Sequence, residues 1–91
     1  MGKARTVYWS GRELQHRLRR VEGQIRGIEA MVVRTESCQD ILTQLAATQG
    51  ALAKIVKLVE ACQVAEELMG ERDIVDPELE RVHNAIRRII R

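Results

Sequence analysis

Between residues 14 and 32 the apolar positions Leu14, Leu18, Val21, Ile25, Ile28 and Val32 alternate spacings of four and three. That rhythm returns to one side of an α-helix and predicts a helix with one narrow buried seam. Just ahead of it, Ser10-Gly11-Arg12-Glu13 has the form of a capping box, in which Ser10 and Glu13 satisfy each other's free backbone N–H groups. The first helix is therefore expected over about residues 11–34. Gly23 and Gly27 fall off the seam. A glycine inside a helix costs about 1 kcal/mol relative to Ala, a cost that is either tolerated or offset by the close approach of a neighbouring backbone.

The pattern breaks at Thr35-Glu36-Ser37, where Ser37 can cap a second helix with Asp40 in its first turn. Cys38 then lies in that same first turn. The apolar stripe runs on through Ile41, Leu42, Leu45, Leu52, Ile55, Val56, Val59 and Cys62, with Gly70 as the first stop signal, so the second helix should span about residues 37–69. At a rise of about 1.5 Å per residue it is roughly 50 Å long. One short chain cannot hide such a helix along its whole length, so the first two helices should form an antiparallel hairpin that pairs with another into a four-helix bundle. Asp76-Pro77-Glu78 starts a third helix, over about residues 77–90, with Asp76 as N-cap, Pro77 in the first turn and a seam of Leu79, Val82, Ile86 and Ile90. The expected fold class is all-α: one domain over residues 1–91, a basic arm over residues 1–10, and a third helix packed across the bundle ends or between dimers.

Composition supports long packed helices, since there is one Trp, one Tyr and no Phe beside abundant Leu, Ile, Val and Ala. Charge is uneven. Residues 1–34 carry eight Lys or Arg against three Glu, a balance of +5, and residues 35–91 carry seven against ten acidic residues, a balance of −3. The basic half is where an anionic partner is expected. No apolar run follows Met1-Gly2-Lys3-Ala4-Arg5, and none approaches the roughly 20 residues of a membrane span, so a soluble cytoplasmic protein is expected. In a reducing compartment Cys38 and Cys62 are expected to serve thiol chemistry or burial rather than a disulfide. His16 and His83 sit on different helices without ligand spacing and read as surface or satisfied residues. Helix-turn-helix spacing, zinc-finger spacing and paired stacking aromatics are all missing, and so is any nucleophile–base arrangement or phosphate-binding Gly loop. An enzyme is not expected.

Two blocks carry a specific likeness. Residues 14–29, LQHRLRRVEGQIRGIE, and residues 38–52, CQDILTQLAATQGAL, resemble the copper-sensing repressor family in sequence and in spacing, and the likeness extends over nearly the whole chain. The resemblance implies disc-shaped tetramers of three-helix protomers that bind operator DNA and release it when an inducer reacts at a cysteine-centred site between subunits. It places the sensing cysteine on Cys38 and DNA contacts on Arg17 and Lys54, with Arg19, Arg20, Lys3 and Arg5 extending the same basic half. Copper sensors of the family carry a histidine and a second cysteine where this chain has Gln63 and Glu67. An amide and a carboxylate are poor ligands for Cu(I), which prefers thiolate and imidazole. Nickel sensors need histidines that are missing here, sulfane-sulfur sensors carry a second cysteine in place of Glu67, and formaldehyde sensors carry a histidine in place of Gln63.

What remains is Cys38, with Cys62 one residue short of the ligand position and turned by about 100° from it on a helix. Cys62 reads first as a buried thiol on the apolar stripe and second as a thiol brought near Cys38 across a subunit interface. The expected function is a DNA-binding repressor released by sulfane sulfur, an electrophile such as formaldehyde, or another thiol-reactive inducer at Cys38. The alternatives are a Cu(I)-responsive repressor with a non-standard metal site that includes Cys38, and a helical protein-interaction module that never touches DNA.

Overall fold

The structure, a computed structural model, describes residues 8–69 and 76–89. Lys3, Arg5, Gly70, Ile90 and the capping side chain of Asp76 lie outside the described residues. Three helices carry the chain: α1 (Gly11–Val33), α2 (Cys38–Met69) and α3 (Asp76–Ile89), and the described residues contain no strand. None of these helices is long and apolar enough to cross a membrane.

The joint between α1 and α2 is closed by backbone chemistry. The Glu36 N–H donates to the Met31 carbonyl and the Thr35 N–H to the Val32 carbonyl, each at 3.0 Å. These are the two bonds of a Schellman cap, and they place Thr35 in the left-handed region, at φ 54°. Arg34 straddles the turn, donating from Nε and Nη2 to Glu36 Oε2 at 2.8 and 2.7 Å. Ser37 then opens α2: its Oγ accepts the Asp40 N–H at 3.1 Å and its carbonyl accepts the Ile41 N–H at 3.1 Å. A β-branched residue at positive φ is strained by about 1–2 kcal/mol, whereas glycine is not, although glycine also loosens the unfolded chain. Thr35→Gly is therefore expected to stabilise the protein by about 1 kcal/mol, seen as a higher thermal midpoint at fixed protomer concentration. A lower midpoint would mean that the 2.6 Å hydrogen bond from Thr35 Oγ1 to the Arg34 carbonyl outweighs the strain.

The chain divides into two compact units. In the unit of residues 12–55, α1 and the first half of α2 form a hairpin, antiparallel because only four residues connect them. On α1, Val21 is buried and Leu14, Arg17, Gln24, Ile28 and Met31 are half-buried. On α2, Thr48 and Ile55 are buried and Ile41 and Ala51 half-buried. Buried Thr48 is satisfied by donating Oγ1 to the Gln44 carbonyl at 2.9 Å.

Within the single chain only part of the expected seam is covered. Leu18, Ile25 and Val32 are 43, 48 and 57% exposed, and Leu42, Leu45 and Leu52 are exposed with them. A two-helix hairpin buries only the line of each helix that meets the other, so the second apolar line of each stays at the surface. Gly23 and Gly27 receive no close backbone either, because a Cβ built on them meets nothing within 4 Å.

The second unit joins residues 8–11 to residues 56–69 and 76–89. Tyr8, Leu58, Cys62 and Ile86 are buried there, Tyr8 most completely. Val82 and Ile86 of α3, four residues apart, share a groove of about 520 Å³ with Ala61, Val64, Ala65 and Leu68 of α2. Arg87 and Arg88 in the last turn of α3 complement its dipole.

Candidate functional site

Two cations of the basic half, Arg17 and Arg20, and Lys54 of α2 gather into one groove of the first unit. Arg17, Arg20 and Gln24, at spacings of three and four, lie on one side of α1. Ala47, Gly50, Ala51 and Lys54, at spacings of three, one and three, lie on one side of α2. Together these seven residues line a groove of about 360 Å³. None of them is acidic. Arg17 is half-buried and its Nη2 stands 3.6 Å from Glu13 Oε1, a loose pair one turn back along α1. Three small residues form the α2 wall, and a Cβ added to Gly50 would meet nothing within 4 Å. The groove thus offers three cationic donors around an open floor, which suits an anion that approaches the backbone closely.

Of the residues singled out from sequence, Arg17, Arg20 and Lys54 are brought together here, whereas Arg19 is exposed and not among the groove's lining residues. Gln24, Ala47, Gly50 and Ala51 were not singled out. Their signal was available in the small-residue run of α2 at helical spacing, but it had meaning only beside the facing cations of α1. Gln24 carries a further peculiarity. Its Oε1 is shielded from solvent and has no hydrogen-bond partner.

The two cysteines have opposite environments. Cys38 is the first residue of α2 and exposed, on the turn capped by Ser37. Cys62 is buried, and desolvation pushes its thiol above the ordinary value, which keeps it protonated and unreactive near neutral pH. Gln63 and Glu67 are exposed on the last turns of α2, His16 is exposed and His83 half-buried. Among the described residues no three His, Cys, Asp or Glu side chains cluster as a metal ion requires. Among the described residues this donor set does not fit a copper centre: Cys38 is the exposed cysteine and no imidazole clusters with it.

Comparison with known proteins gives a consistent result. The family model described as metal-sensitive transcriptional repressor matches residues 10–90. The chain is similar to the copper-sensing transcriptional repressor CsoR of Bacillus subtilis, 44% identical over 43 residues, which cover 47% of this chain and 43% of that one. It is also similar to the copper-sensing transcriptional repressor RicR of Mycobacterium tuberculosis, 51% identical over 39 residues, covering 43% of this chain and 41% of that one. The match thus spans less than half the length of either relative. No solved structure matches the chain.

Proposed function

The chain belongs to the metal-sensitive transcriptional repressor family, and from that premise we propose that it is a homo-oligomeric repressor that holds operator DNA in the Arg17–Arg20–Lys54 groove and releases it when an inducer modifies Cys38. Such a family is one of regulators, not enzymes. The observation that carries the DNA assignment is the gathering of three cations around a small-residue floor. Phosphate contacts of this kind position a protein on DNA and make its affinity steeply salt-dependent. The exposed lines Leu18, Ile25, Val32 and Leu42, Leu45, Leu52 support assembly, because apolar rows at helical spacing are what a second hairpin would cover.

Cys38 carries the sensing assignment because it is exposed while Cys62 is buried. A polysulfide would transfer one sulfur atom: Cys38 Sγ forms a new S–S bond, one polysulfide S–S bond breaks, and the chain shortened by that sulfur leaves with the electron pair. Formaldehyde would instead add through carbon to Sγ, its oxygen taking up the carbonyl electron pair and a proton. Either product changes bulk and polarity at the start of α2. Release follows only if the modified thiol is better accommodated in the form that grips DNA poorly.

The names of the two relatives favour a second assignment, a Cu(I)-responsive repressor. Among the described residues no three His, Cys, Asp or Glu side chains of one chain cluster as a metal ion requires. Copper would then need ligands from a second copy.

Intact-protein mass spectrometry with parallel DNA-release assays, after separate anaerobic exposure to Cu(I), a polysulfide and formaldehyde, decides between them. The expected result is a covalent mass increase on Cys38 that accompanies release and is lost in Cys38→Ala. Retention of Cu(I) alone, with release, moves the assignment to copper. A Cys38→Ala protein that still responds normally would sink the sensing role in both forms, and an absence of DNA affinity would leave a helical interaction module.

A further inference from the structure

We infer that Gln24 is the residue of the basic groove that discriminates between DNA sequences, accepting or donating a hydrogen bond at a base edge while Arg17, Arg20 and Lys54 hold phosphates. This inference rests on the DNA assignment above and deepens it. Gln24 is the one neutral polar side chain lining the groove; the others that can hydrogen-bond through their side chains are cations and can only donate. Its Oε1 is shielded and unpartnered, an arrangement that disfavours the unliganded state, since a buried acceptor without a donor has lost its water and gained nothing in return. No protein hydrogen bond holds that oxygen in place, so a rotation about the side-chain torsions that brings it into the groove breaks none.

The ligand that satisfies this groove must present negative charge to three cations and an N–H group to the carboxamide. A DNA strand carries both, its phosphates beside the exocyclic amines of adenine and cytosine on the major-groove edge. A glutamine amide fits adenine in particular, donating to N7 and accepting from N6. The open floor at Gly50 permits the close approach that such a contact requires. A backbone phosphodiester alone, by contrast, would satisfy the cations but carries no donor for Oε1, so the N–H must come from a base.

The test uses the full chain in its native oligomeric state. A duplex is first enriched by the wild-type protein from a random-sequence pool, and its affinity is compared with that of a base-shuffled duplex over a range of salt. Gln24→Met keeps the length and removes the hydrogen bonds; Gln24→Asn keeps the amide and shortens the reach, and it carries the test should the Met protein lose helicity. The expected result is a fall of about tenfold or more in the ratio of the two affinities, with the slope of log affinity against log salt unchanged. Arg17→Ala should instead weaken both duplexes alike and flatten that slope by about one for each groove that engages the duplex. An unchanged ratio in the Gln24 variants, or an equal loss for both duplexes, overturns the inference while leaving the DNA assignment intact. Failure of the wild-type protein to enrich any duplex overturns both.

Discussion

Ile25→Glu is expected to convert the assembled protein into separate chains over the micromolar range, with the thermal midpoint falling alongside. Ile25 is 48% exposed in the single chain and stands midway between Leu18 and Val32, seven residues from each. Removing an Ile side chain from water contributes about 1.5–3 kcal/mol, and in a two-fold symmetric interface every substitution acts twice. A carboxylate placed there adds the penalty of a desolvated charge. The combined loss should raise the dimer dissociation constant at least about a thousandfold, since each 1.4 kcal/mol is a factor of about ten. Sedimentation velocity over a concentration series measures this directly. Glu22→Lys, at an exposed polar position on the same helix, is the control and should assemble like the parent. If Ile25→Glu assembles equally well, the exposed apolar lines are not the interface.

The second large effect concerns DNA. The double variant Arg17→Ala, Lys54→Ala should lose at least about a hundredfold in affinity at moderate ionic strength, and its salt slope should flatten by about two for each groove that engages the duplex. The fold should survive. Lys54 is exposed, and the 3.6 Å contact between Arg17 and Glu13 is a partly exposed pair of the kind that contributes about 0–1 kcal/mol. Fluorescence anisotropy at several salt concentrations separates the outcomes. A lower affinity with an unflattened slope would show that the substitutions acted through the structure and not through lost phosphate contacts.

Much of the chain was legible before folding. The three helices of the described residues follow from the apolar periods, from Ser37 as a cap and from Pro77 just inside the third helix, because these are local effects carried by neighbours in sequence. The place of Cys38 at the head of α2 is local for the same reason, since it follows from the Ser37 cap beside it. Periodicity could not say which of two adjacent apolar lines on one helix would be covered. A seam with spacings of three and four has a width but no preferred rotation, and the hairpin turned Leu14, Val21 and Ile28 inward while leaving Leu18, Ile25 and Val32 outside.

That same rotation brought Arg17 and Gln24 onto the half-buried line, with Arg20 beside them, opposite Ala47, Gly50, Ala51 and Lys54. A polar stretch of α1 thereby became one wall of a groove. Burial of Cys62, by contrast, was already legible in its place on the apolar stripe of α2, and the packing of the second unit realises it. The sequence by itself determined the helices, their ends and the charge they carry, because hydrogen bonds and caps act over three or four residues. Which faces meet, which atoms lose their water and which cations stand together depend on contacts between residues far apart in the chain, and only the tertiary structure decides those.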